Sequence, residues 1–133
     1  MTRPWFAPRA WALALLCTSA ACDAKTVIYA AQSVYHHCGR RLDYVQCEPL
    51  LWKNDRELAG RFMGRYEEQV VILGSPLLIT YHPEERRGTD GKGDYVETFS
   101  TLSGPNGRTF ATLRFARAGE RLLLTQFTFE PKD

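Results

Sequence analysis

Tyr95-Val96-Glu97-Thr98-Phe99-Ser100-Thr101-Leu102, then Gly104-Pro105-Asn106-Gly107, then Thr109-Phe110-Ala111-Thr112-Leu113-Arg114-Phe115: two runs of aromatic and β-branched residues separated by turn chemistry. The composition suits a pleated surface, and Pro-Asn-Gly suits a hairpin loop. A second turn at Ala118-Gly119-Glu120 leads into Leu122-Leu123-Leu124-Thr125-Gln126-Phe127-Thr128-Phe129. There Leu123, Thr125, Phe127 and Phe129 fall on one face at period two. Three antiparallel strands in a meander follow, so the fold class is mostly β.

Working upstream, Gln69-Val70-Val71-Ile72-Leu73 and Leu77-Leu78-Ile79-Thr80-Tyr81 flank Gly74-Ser75-Pro76. They read as a hairpin whose strands, too apolar to be half exposed, belong at the sheet centre. Leu58 to Tyr66, with Gly60 and Gly64, reads as a bent or bulged strand feeding it. Pro83 to Gly93 is polar and glycine-rich, the signature of a long exposed loop. Thr26 to Tyr35 fits either a strand or a short helix, and Glu48 to Trp52 either a helical turn or a strand. The expectation is a small, antiparallel, strongly curved sheet or barrel with little helix. Nothing divides residues 27–133, so they form a single domain.

The first residues have the layout of a secretory signal: Arg3 and Arg9, an apolar run from Ala10 to Cys17, then Thr18-Ser19-Ala20-Ala21. The apolar run is far shorter than the roughly 20 residues of a membrane-spanning helix. Ser19-Ala20-Ala21-Cys22 resembles the lipobox of bacterial lipoproteins, differing at Ser19, where that family carries Leu. The resemblance implies removal of residues 1–21, acylation of Cys22 and a tether over 22–26. The expected address is the periplasmic face of the envelope, with inner and outer membrane both open. Cleavage after Ala21 or Ala24 without acylation leaves a soluble periplasmic protein instead.

Removing residues 1–21 takes away Arg3 and Arg9 and no acid, so 17 basic residues become 15 against 15 acidic ones. A formally neutral chain gives no basic face for nucleic acid. Of the four cysteines, Cys17 lies in the removed run and Cys22 is the acylation candidate. Cys38 and Cys47 remain, most simply as a disulfide in an oxidising compartment, the alternative being metal ligation beside His36 and His37.

No constellation names a reaction. His36 and His37 diverge on a strand and stand about 100° apart on a helix, with only His82 as a further imidazole. Ser75 and Ser103 sit in turns without a nucleophile elbow. Glu67-Glu68 opens an expected strand, where the two face opposite ways, and Glu84-Glu85 sits in an expected loop. In Asp90-Gly91-Lys92-Gly93-Asp94, Lys92 stands where a calcium loop needs an oxygen. We therefore expect no catalytic residue, no metal and no cofactor.

What remains is surface. Arg40 and Arg41 with Tyr44 in and beside the disulfide loop, Trp52 after it, and Arg86 and Arg87 in the expected long loop are the residue types of protein-binding sites. The leading expectation is a non-enzymatic lipoprotein that binds an envelope or periplasmic protein, as an inhibitor, an immunity factor or an accessory subunit. Membrane-bound lysozyme inhibitors are similar in size, lipidation and β-class, but their Ser-Gly-x-x-Tyr motif is not matched after Ser103-Gly104. The alternative is a carrier of a small apolar ligand, with Leu77-Leu78 and Leu122-Leu123-Leu124 lining a lipocalin-like barrel.

Overall fold

The computed structural model describes residues 20–40 and 43–132. The expected signal segment, Cys17 and Arg41 lie outside them.

Residues 78–132 form a four-stranded antiparallel meander in the order β1-β2-β3-β4. β1 is Leu78–Asp90, β2 Gly93–Gly104, β3 Gly107–Ala118 and β4 Arg121–Lys132. The three expected strands and both turns are present. The sheet is open, not closed into a barrel.

Two sequence readings on the sheet are corrected. Pro83 to Gly93 is no long loop: β1 runs through it to Asp90 and pairs with β2, leaving a turn at Gly91-Lys92. The polar composition reflects an edge strand with little buried surface, interrupted by a register shift between Tyr81 and Glu85. In β4 the face assignment changes midway. Gln126 pairs with Arg114 but Leu124 pairs with Phe115, so Thr125 is a bulge. Leu122 and Leu124 therefore share the inner face with Phe127 and Phe129, and Leu123 turns outward.

The helical layer is larger than expected. α1 (Ala20–Val34) runs directly into a π-helical turn over Tyr35–Arg40, resolving Thr26 to Tyr35 as helix. A short α2 (Tyr44–Cys47), capped by Asp43, leads into two 3-10 turns, Glu48–Leu50 and Trp52–Asn54. α3 spans Arg56–Leu73, its first turn capped by the Asp55 carboxylate, which accepts from the Leu58 N–H.

α3 overturns both the bent strand over 58–66 and the hairpin arm over 69–73. Its buried positions are Leu58, Ala59, Phe62, Tyr66, Gln69 and Leu73, separated by one, three and four, as one face of a helix requires. Val70-Val71-Ile72 has strand composition, but the fully buried residues on either side of it are Gln69 and Leu73, one of them polar. Gln69 is 2% exposed and its side-chain oxygen accepts from the Thr109 hydroxyl, while Val71 is 81% exposed. Tertiary packing of Phe62, Tyr66 and Leu73 outweighs a local β preference of at most about 1 kcal/mol per residue.

The helices fill the inner face of the sheet. Val96, Thr98, Ser100 and Leu102 on β2 and Thr109, Ala111, Leu113 and Phe115 on β3 all point inward and are buried. Phe62 meets Phe127 and Phe129 at 5.0 and 5.6 Å between ring centroids. The Tyr35 hydroxyl shares a 2.7 Å hydrogen bond with Ser100. Cys38 and Cys47 form the expected disulfide, wholly buried, pinning the π turn to α2.

One end of this assembly is defined. α3 finishes against the β2–β3 turn, where the Asn106 N–H donates to the Leu73 carbonyl at 2.8 Å. Gly104 permits that approach, since a Cβ there would stand 2.3 Å from the Leu73 oxygen. Arg40 contacts Leu77 at the same end, and Tyr35 sits further along the strands, at Ser100 and Tyr81.

Candidate partner-binding site

Of the six residues expected to bind a partner, the five described do not form one patch. Arg86 and Arg87 are neighbours on β1 and face opposite sides of the sheet. Arg86 belongs to a closed network on the outer face. Glu97, whose side chain is 4% exposed, receives Arg86 at 2.6 Å and Arg114 at 3.0 Å, and Arg114 also reaches Asp90 at 3.2 Å. The Arg114 guanidinium stacks 3.7 Å from the centre of the Tyr95 ring. Two cations and two carboxylates satisfy one another there. Arg87 bonds Glu85 on its own strand. Tyr44 lies under the Arg56 guanidinium, 5.0 Å from its ring centre, and Arg56 also pairs with Glu48. Trp52 is half-buried in its 3-10 turn.

Arg40 is different. The π turn ends on Gly39, which lies flat on the Tyr66 ring: a Cβ would stand 3.2 Å from two ring carbons. This delivers Arg40 to the seam between α3 and β1. Its Nε donates to the Tyr66 hydroxyl at 3.4 Å and its Nη2 to the Leu77 carbonyl at 3.4 Å, both long for hydrogen bonds. Among the described residues no carboxylate forms a salt bridge with it. Arg40 is exposed and stands between two clefts, contributing to the wall of each.

The larger cleft, about 510 Å³, has an apolar wall of Val70, Val71, Pro76 and Leu77, with Tyr66 on its floor and Glu67 on its rim. The smaller, about 260 Å³, is lined by Gln32, His36, Ile79 and the phenols of Tyr35 and Tyr81. Those phenols stay neutral. Burial pushes Tyr81 up to about 12 against the opposing pull of the Arg40 charge, and complete burial pushes Tyr35 up further. The guanidinium thus sits among uncharged donors and acceptors rather than beside a counter-ion. A planar fork of N–H groups in that setting pairs with a carboxylate.

Around the larger cleft the surface is apolar where a free surface has no reason to be. Val71 is 81% and Ile72 57% exposed on the last turns of α3, whereas Leu78, 66% exposed, pairs with Ser103 and faces the other side of the sheet from Ile79. Val71 and Ile72 also line a neighbouring hollow. Sequence reading missed this patch because it placed 69–73 in the sheet centre. The signal that could have found it is the 3- and 4-residue spacing of Phe62, Tyr66, Gln69 and Leu73, which leaves Val71 and Ile72 off the buried face.

The other large hollow, about 760 Å³, lies between α3 and β4 beside Arg61, Arg65, Phe127 and Phe129. Its cations are already engaged, Arg65 with Glu68 and the Phe129 carbonyl, Arg61 with Glu57. His36 and His37 meet edge-on, 4.7 Å between centroids, and His37 Nδ1 is buried without a hydrogen-bond partner among the described residues. Among the described residues no three of His, Cys, Asp and Glu come together, and no helix is long and apolar enough to cross a membrane.

Comparison with protein-family models, curated proteins and solved structures gives no match for the chain.

Proposed function

We propose that this chain is a non-enzymatic lipoprotein of the periplasmic face of the envelope, held through Cys22, that binds another protein with the surface around Arg40 and Val71. The observation that carries the reading is the exposed apolar surface of Val71 and Ile72, with Val71 lining the same cleft as an arginine without an acidic partner among the described residues. Apolar area of this kind costs about 25 cal/mol per Å² while it faces water, a cost that burial under a partner removes. The apolar-carrier alternative finds less support: Leu124 is spent against Leu51 in the packed core, and Leu78 is on the outside.

The test places a photo-crosslinking amino acid at Val71 and, separately, at Thr112 on the outer sheet face, in the full chain in its native envelope. Discrete crosslinked products from position 71, absent from position 112 and abolished by Ile72→Asp, are expected. Equal or absent crosslinking at the two positions would refute the assignment of this surface.

A further inference from the structure

We infer that the partner engages this site with the carboxylate that ends its polypeptide chain, preceded by apolar side chains. The inference rests on the protein-binding reading and names the chemistry of the contact. Three features of the cleft define that chemistry. The wall of Val70, Val71, Pro76 and Leu77 accepts aliphatic or aromatic side chains and offers no charge to pair with. Arg40 lines both this cleft and the Tyr35–Tyr81 cleft, so a segment laid along the apolar wall comes within reach of the guanidinium. A chain that stops there presents two carboxylate oxygens to the fork while all its side chains stay apolar.

The third feature is charge. Among the described residues the guanidinium holds only two long hydrogen bonds, to the Tyr66 hydroxyl and the Leu77 carbonyl, which leaves most of its N–H groups for a ligand. Glu67 on the rim repels a run of acidic residues but not a single terminal carboxylate flanked by apolar groups. The neighbouring phenols of Tyr66 and Tyr81 can donate to the same carboxylate without adding charge. Arg86 and Arg114 lack this capacity because Glu97 already occupies both.

The experiment uses the full-length, oxidised chain in lipid nanodiscs. Fluorescence anisotropy would follow fluorescein-labelled hexapeptide pools of Ala, Leu, Val and Phe in random order. One pool ends in a free carboxylate, a second is amidated, and a third is amidated with Asp placed internally. The free-acid pool is expected to bind at least about tenfold more tightly than the amidated one, the size of one charge-assisted contact. Arg40→Gln should erase that ratio, and Arg40→Lys should restore part of it, with unchanged melting of each variant showing that folding is intact. Equal binding of acid and amide, or a ratio that survives Arg40→Gln, overturns the inference. Tighter binding of the internal-Asp pool moves the carboxylate to a side chain and overturns the chain-end assignment. If no pool binds while Val71 still crosslinks in the envelope, the inference fails and the protein-binding reading stands. If peptides bind but Val71 crosslinks nothing, the failure belongs to that reading instead.

Discussion

At the scale of single residues, three groups in or against the core make the fold depend on its chemical surroundings. The Cys38–Cys47 disulfide closes a separation of nine residues and both partners are fully buried. Closing a loop of that size removes unfolded-state entropy worth about 2–3 kcal/mol. Cys38→Ala, or reduction under conditions that reach the bond, should lower the melting temperature by many degrees. An unchanged melt in reductant, with free thiols counted, would refute a structural role. The other two groups are Tyr35 and Tyr81, whose phenols are pushed up by burial, Tyr81 to about 12. In the unfolded chain both ionise near about pH 10. Their contribution is therefore whole below about pH 10 and is lost as pH rises through the folded values, because the unfolded state releases protons first. Denaturant midpoints measured from pH 8 to 12 should fall above pH 10. Tyr35→Phe should make that fall shallower while costing about 1 kcal/mol near neutrality through the lost Ser100 bond. An identical alkaline slope in the two proteins would exclude Tyr35 as a cause.

At the scale of elements, α3 carries the clearest tests. Gly64 sits in its interior and a Cβ there meets nothing within 4 Å. Gly64→Ala should stabilise the protein by about 0.5–1 kcal/mol, since it removes only backbone freedom of the unfolded chain. Gly104→Ala should cost about 2 kcal/mol or more, because the new Cβ strikes the Leu73 carbonyl at 2.3 Å and the end of α3 must move off the β2–β3 turn. Urea titration of both variants checks the pair; a neutral Gly104→Ala would mean that α3 does not end where described. The same element marks the limit of sequence reading. β2, β3 and β4 were legible because alternation and two glycine-bearing turns agree with their final environment. α3 was not, because Val70-Val71-Ile72 carries strand composition while its helical face is spelled by residues three and four apart, with a glutamine among them. β1 was masked by Pro83 to Arg87, which look like loop because an edge strand needs few apolar residues. Of the candidate site, Arg40 was visible from residue type alone. The cleft that gives it meaning required the correct packing of α3 against β1, which brings Tyr66 and Leu77 together from positions eleven residues apart.

At the scale of the whole molecule, the question is how the domain stands on a membrane if Cys22 is acylated. The expected tether over 22–26 coincides with the opening of α1, which is helical from Ala20. A helix that begins at the anchor leaves no slack, so the orientation of α1 becomes the orientation of the domain. β2 has 12 residues, which at about 3.3 Å each puts the two ends of the sheet roughly 40 Å apart. The β2–β3 turn at Asn106 belongs to the Arg40 end of the sheet and the β1–β2 turn at Lys92 to the opposite one. A partner-binding surface at the Arg40 end predicts that the anchor holds the Lys92 end to the lipid. With the acylated protein in vesicles carrying a headgroup quencher, a dye installed through a non-natural amino acid at Lys92 should be strongly quenched. The same dye at Asn106 should keep most of its emission, and Cys22→Ser should leave both unquenched and the protein off the vesicles. Equal quenching at the two positions would mean that residues 22–26 unwind on anchoring and that the domain tumbles on a flexible leash. The Arg40 cleft would then face lipid and solvent alike, and its place in the fold would not argue for a protein partner. Strong quenching at Lys92 alone would make that argument, because it holds the exposed Val71 and Ile72 roughly 40 Å from the lipid they would otherwise enter.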